Sequence, residues 1–154
     1  SGLNYNPVIS ISGTTYTMCS GNIVYTNSNG DITRIIVQFH SYCTGSDKEY
    51  IMSAGIDGLG SSIISGQTYT ITGPVTLNSP IATFLFYDYN CTQTSMDTYT
   101  NSATGNGIVE FTVDFANNTI DGNFTLTGHD PSFVLPPKTV VCSFSNMPIQ
   151  VMSM

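Results

Sequence analysis

Charge is scarce in this sequence. Only 8% of its residues are Asp, Glu, Lys or Arg, and three basic residues, Arg34, Lys48 and Lys138, face ten acidic ones. A phosphate-binding surface is built from Lys and Arg, so a formal charge of −7 excludes nucleic acid as an expected partner. Catalytic centres are usually clusters of titratable groups at shifted pKa values, and few such groups exist here. Two histidines and no CxxC pair leave a structural zinc site without its usual spacing. Trp is absent. No apolar run approaches the roughly 18 residues of a membrane-spanning helix, and no window of about a dozen residues carries a capped 3.6-residue period.

Thr, Ser and Asn stand in place of charge, at 21, 18 and 13 residues. Apolar residues make up 40%, including 9 Tyr and 8 Phe, enough to build a core and argue against disorder. At 154 residues, 1–154 reads as a single domain without internal repeat or linker. The acidity, with a pI near 4.2, is first of all a device for solubility.

Period-2 alternation dominates the chain. Leu3, Tyr5, Pro7, Ile9 and Ile11 take every second position at the start. Ile35, Val37 and Phe39, then Tyr50, Met52, Ala54 and Ile56, repeat the pattern. Ile81–Tyr89 is apolar at both parities, as in a central strand, whereas Val109–Phe115 alternates with Glu110, Thr112 and Asp114 and has one wet face. A last run extends from Thr139 to about Met152. Asn29-Gly30 reads as a hairpin turn between Asn22–Thr26 and Ile32–Ser41, and Asp57-Gly58 and Asp121-Gly122 read as further turns. Cys91–Gly107, rich in Thr, Ser and Asn, reads as a long exposed loop. The expected fold is an all-β antiparallel sandwich, Ig-like or jelly-roll-like, of about 9–10 strands.

The four cysteines, Cys19, Cys43, Cys91 and Cys142, are widely spaced and even in number. They fit two disulfides in an oxidising compartment, each contributing roughly 3 kcal/mol by loop closure. Three connectivities are open; Cys19–Cys43 with Cys91–Cys142 is preferred because the first pair flanks one hairpin. Four buried free thiols are the alternative. A chain that begins at Ser1 on polar residues is what trimming after export leaves, as does trimming of any other origin. The triplets at Asn90, Asn117 and Asn123 match the glycosylation pattern, which chance supplies readily in a chain this rich in Thr and Asn.

Candidates for chemistry are thin. His40 lies out of phase with the apolar positions of its strand, and His129-Asp130-Pro131 reads as a turn. No GxSxG elbow exists. Glu110 and Asp114 share the wet face of one strand, where solvation explains them. Asn27, Asn29 and Asp31 begin like an EF-hand, but Gln38 stands where the bidentate glutamate is needed. No catalytic residue, metal ligand or cofactor is therefore assigned, and the chain is expected not to be an enzyme. A sugar site is conceivable at Tyr87, Tyr89, Asn90, Asp97 and Tyr99, because tyrosine offers a flat apolar face and a hydroxyl to a sugar ring.

Both ends look like strands. Segment 1–12, through Leu3, Tyr5, Ile9 and Ile11, offers one apolar face, and Met147, Ile149 and Val151 alternate at the other end. Each end either pairs within its own sheet or completes the sheet of a second copy by β-strand addition.

Two passages carry a resemblance. Gly66-Gln67-Thr68-Tyr69-Thr70-Ile71 is similar to the Tyr-centred strand of small secreted or lipid-anchored bacterial β-sandwich domains of uncharacterised function. Residues Gly107 through Gly128, GIVEFTVDFANNTIDGNFTLTG, resemble their hairpin that ends in a Gly-x-Phe strand. The resemblance spans the last two-thirds of the chain and implies a surface-exposed antiparallel sandwich, with no catalytic residue transferred. In composition the chain also resembles subunits of extracellular filaments that use donated strands. The expected function is a secreted, non-enzymatic structural or adhesive subunit that self-associates into a surface filament; a secreted carbohydrate-binding module is the alternative.

Overall fold

A computed structural model describes residues 3–4, 8–11, 14–17, 19–40, 48–59, 61–72, 81–90, 95–100, 106–130 and 134–153. Thirteen strands build two packed sheets, and no helix occurs among the described residues. In chain order they are β1 (Leu3–Asn4), β2 (Val8–Ile11), β3 (Thr14–Thr17), β4 (Cys19–Thr26), β5 (Ile32–His40), β6 (Lys48–Asp57) and β7 (Thr68–Thr72). There follow β8 (Ile81–Asn90), β9 (Ser95–Thr100), β10 (Asn106–Asp114), β11 (Thr119–Gly128), β12 (Lys138–Pro148) and β13 (Gln150–Ser153). The first sheet runs β1-β4-β5-β6-β8-β9, with β13 also on β4; the second runs β3-β2-β12-β11-β10-β7. The expected all-β arrangement of two packed sheets is present, with thirteen strands among the described residues where about 9–10 were expected, and with one pairing that is not antiparallel: β13 pairs β4 in parallel.

Alternation places the core. In β5, Ile35, Val37 and Phe39 are buried while Arg34 and Gln38 are exposed. Ile32 is buried as well, out of phase with Ile35, because a bulge shifts the pairing from Arg34↔Tyr25 to Ile32↔Thr26. The extra residue of a bulge lets both apolar positions face inward, and the Thr33 hydroxyl donates to the Tyr25 carbonyl at 3.3 Å across it. Met52, Ala54 and Ile56 of β6 extend this layer. Opposite stand Val109 and Phe111 of β10, Ile120, Phe124 and Leu126 of β11, and Val140, Cys142, Phe144 and Met147 of β12. Phe144 joins the sheets: its ring meets Phe39 edge-on at 5.0 Å and lies 6.4 Å from both Phe111 and Phe124. Residues 61–67 pack at one end of the sandwich, with Ile63 buried and its N–H donating to the Ile32 carbonyl, and the Gly66 N–H donating to the Phe111 carbonyl.

Three sequence expectations change here. Asp121-Gly122 is not the turn; that role falls to residues 115–118, and Asp121-Gly122 lies inside β11. Glycine is needed there for space, because an added Cβ would fall within the ring of Phe144, its cross-strand partner. Residues 91–107 are not one long loop, since β9 occupies Ser95–Thr100. Its Thr and Ser content reads as loop composition, yet β-branched Thr suits an edge strand equally well. The run from Thr139 to Met152 is two strands on different sheets, broken at Ile149. By contrast, Asn29-Gly30 forms the hairpin turn between β4 and β5, with Gly30 at φ 82°, and the Leu59 N–H donates to Asp57 Oδ1 at the Asp57-Gly58 turn.

Candidate functional site

The N-terminal alternation does not form one strand. Leu3 and Asn4 pair with Gly21 and Ser20 on the first sheet, whereas β2 joins the second sheet between β12 and β3. Tyr5 lies outside the described residues, as do the side chains of Leu3, Ile9 and Ile11. Among the described residues two backbone pairs hold β1 to β4, and two more, Cys142↔Ile11 and Ser143↔Ser10, hold β2 to β12. Strand β12 itself is 11 residues long and pairs β11 from Lys138 to Pro148. Its other edge is therefore covered by β2 at only two described positions.

Where β2 turns away from β12 a cleft of 310 Å³ opens, lined by Val8, Ser10, Thr15, Ser143, Phe144 and Ser145. A register shift between β11 and β12 lies just beyond it, between Ile120↔Met147 and Gly122↔Phe144. Asn146 adopts φ 54° there, a conformation asparagine tolerates better than most residues, and its N–H donates to Asp121 Oδ1 at 2.8 Å.

Both chain ends meet on the open edge of β4. Strand β1 takes Ser20 and Gly21, β13 takes Ile23 to Thr26, and Asn22 stands between them. The Asn22 side chain is fully buried. Its Nδ2 donates to the Pro148 carbonyl at 3.1 Å, where the chain leaves the second sheet, and to Ser20 Oγ at 3.3 Å. Its Oδ1 has no donor among the described residues, and a buried acceptor left unmatched costs about 1–3 kcal/mol. Neither Asn22 nor the Ser143–Ser145 edge was among the sequence candidates; the edge had as its signal an uncharged stretch from Thr139 to Met154, and Asn22 had none.

The sugar candidates share one hairpin. Strand β8 pairs β9 with Tyr89 opposite Met96, Asn90 opposite Ser95, Tyr87 opposite Thr98 and Asp97 opposite Asp88. Tyr99 is a core residue, 7% exposed, with Lys138 Nζ 5.6 Å from its ring centroid. The side chains of Tyr87, Tyr89, Asn90 and Asp97 lie outside the described residues. A second depression, of 460 Å³, lies over β5 and β6 beside Gly55 and is rimmed by Arg34, Gln38, Ser53 and Asp57. Arg34 Nε approaches Asp57 Oδ2 at 3.8 Å with both side chains about half exposed, a surface pair of little energetic weight.

The acid–base candidates are dispersed. His40 ends β5 on the first sheet, half-buried and opposite Cys19 and Ile51, while His129 follows β11 on the second. Glu110 accepts a hydrogen bond from the Thr68 hydroxyl at 3.0 Å. Asp114 accepts from the Asn117 side chain at 2.8 Å and from its backbone N–H at 3.2 Å, and these bonds hold its carboxyl below the usual range. The Asn27 carboxamide is consumed by its own turn, accepting from the Asn29 and Asp31 N–H groups.

Cys142 is a free thiol at 0% exposure, so the preferred Cys91–Cys142 bridge is not formed in this structure. Cys43 and Cys91 lie outside the described residues, as does the side chain of Cys19. Burial disfavours the thiolate and pushes the Cys142 thiol from 9.0 up to about 12. The folded state therefore keeps this proton advantage at every pH below 9 and loses it as pH climbs toward 12. The native protein is expected to leave Cys142 unalkylated by iodoacetamide at pH 8, and unfolding without reductant to expose it. Peptide mass mapping reads both states; a Cys142 that reacts only after reduction is disulfide-bonded and overturns the assignment.

No family model, curated protein or solved structure matches this chain.

Proposed function

We propose that this chain is a secreted, non-enzymatic structural or adhesive subunit that joins further copies of itself by β-strand addition. One observation carries the reading: an alternation continuous in sequence from Leu3 to Ile11 is divided between two sheets and, among the described residues, tied to β4 and to β12 by two backbone pairs each. A segment that meets β4 and β12 at so few described positions is a candidate for addition to a second sheet, where backbone ladder bonds supply the affinity. Composition favours the same reading. The first charged residue is Asp31, and none follows Lys138, so both terminal regions approach another copy without like-charge repulsion despite −7 overall. The unmatched Asn22 acceptor lies where the two ends meet, so rearranging either end can relieve it.

Export to an oxidising compartment belongs to this reading. Cys19 lies opposite His40 at the end of the β4–β5 ladder, and Cys43 follows His40 by three positions in sequence; a Cys19–Cys43 disulfide is proposed for the exported form.

Light scattering of the full chain across concentrations, with electron microscopy of the native material, tests the function. The expected result is open-ended oligomers that collapse to monomers when residues 1–12 are removed and reform when a synthetic 1–12 peptide is fused to a second copy. A full chain that stays monomeric at every concentration, with unchanged size after the deletion, overturns it.

A further inference from the structure

We propose that the outer edge of β12 is the acceptor surface, and that its occupant is segment 1–12 of a second copy, docked in the register that β2 already adopts. This inference rests on the strand-addition reading and adds to it a place, a partner segment and a register.

Within one copy that register is set by Cys142↔Ile11 and Ser143↔Ser10. Continued along an antiparallel ladder, it sets position 9 opposite Phe144 and position 8 opposite Ser145. Directly opposite residues of an antiparallel pair share a face. Cys142 and Phe144 face the core, so an incoming strand in this register presents positions 9 and 11, both isoleucine, to the apolar side. Its positions 8 and 10 share the face of exposed Ser143 and Ser145. The alternation of the segment thus matches that of the edge beyond the two positions where they touch within one copy.

The native chain does not complete this match. After Ser10 toward the N-terminus, β2 leaves β12 and continues its pairing only with β3, as Val8↔Thr17 and Ile9↔Tyr16. Leu3 and Asn4 pair with β4 on the first sheet. The 310 Å³ cleft beside Phe144 and Ser145 is the space this departure leaves. A segment donated by another copy has no such pairing to keep, and it runs on along β12 as one strand.

The edge is also undefended. Natural sheets guard free edges with Lys, Pro or inward-pointing charge, yet from Thr139 to Met147 β12 contains neither charge nor proline. Each copy gives one segment and receives one on a different surface. Such a contact is heterologous and extends into a fibre unless its rotation closes a ring.

Chains carrying Val8→Cys and chains carrying Ser145→Cys, each with its own tag, are mixed after co-refolding and treated with a short bis-maleimide. Both positions are exposed, so neither change threatens the fold. Because the two introduced thiols reside on different chains, a linkage mapped by peptide mass to positions 8 and 145, and not to the four native cysteines, reports contact between copies. The expected result is a covalent heterodimer at twice the chain mass that carries both tags, is absent from the unsubstituted parent and is lost when Ile9 and Ile11 of the Val8→Cys chain are replaced by Asp. A Ser145→Cys chain lacking residues 1–12 still accepts linkage but adds no further copy. Oligomers seen by light scattering without the 8–145 linkage overturn the acceptor edge and leave strand addition standing elsewhere. Absence of both oligomers and linkage removes strand addition itself, and this proposal with it.

Discussion

Replacing Phe124 by alanine is expected to lower the unfolding free energy by about 3–5 kcal/mol, the usual loss for deleting a buried aromatic ring. Phe124 is 0% exposed and lies between the sheets, its ring 6.3 Å from Phe111 and 6.4 Å from Phe144 in edge-on contacts. Removing it takes away buried apolar area and leaves a void that two neighbouring rings cannot fill without abandoning their own contacts. Domains of this size are stable by roughly 5–15 kcal/mol, so a large part of the margin disappears. Urea unfolding followed by circular dichroism measures the loss, and the melting temperature should fall by roughly 6–20 °C. Val134→Ala serves as the control, since Val134 is 81% exposed and a change there should stay within about 0.5 kcal/mol. A Phe124→Ala loss below about 1 kcal/mol would contradict the placement of this ring in the core.

The second large effect concerns Gly122. It stands in β11 opposite Phe144, whose ring covers it, and any Cβ there intrudes on the ring. Phe144 cannot move aside freely, because Phe39, Phe111 and Phe124 surround it at 5.0, 6.4 and 6.4 Å. Gly122→Ala is thus an overpacking change, expected to cost about 1–3 kcal/mol although alanine is the better strand former. Phe144→Leu is expected to be destabilising alone but to make room for the new methyl group. The double variant should therefore be more stable than the sum of the singles by on the order of 1 kcal/mol. Purely additive losses would show that the glycine answers to something other than that ring.

The two predictions bear on assembly because Phe144 is also the edge residue beside the cleft. Its inward ring locks β12 against β11 and the facing sheet, while its backbone lines the edge offered to a second copy. Strand β12 is held to β11 along its whole length, whereas β1 meets β4 at two described positions. An exchange that uses the N-terminal strands leaves the aromatic core untouched.

Much of this molecule was legible from residue order alone. Scarce charge, abundant Thr and apolar positions at period two are local properties, and they suffice for an all-β chain with strands near Ile35–Phe39, Tyr50–Ile56 and Val109–Asp114. The Asn29-Gly30 turn is local too, since it depends on one residue's tolerance of positive φ. Three matters depended on packing between distant segments. Gly122 looks like a turn residue until Phe144, far along the chain, is known to cover it. Residues 95–100 look like a loop until β8 offers them an edge. The alternation from Leu3 to Ile11 reads as one strand, yet the two sheets divide it, because β4 and β12 each leave an edge within its reach. Period and composition describe what a segment can pair with; which edge it takes is set by the competition among all edges, and that competition exists only once the sheets have formed.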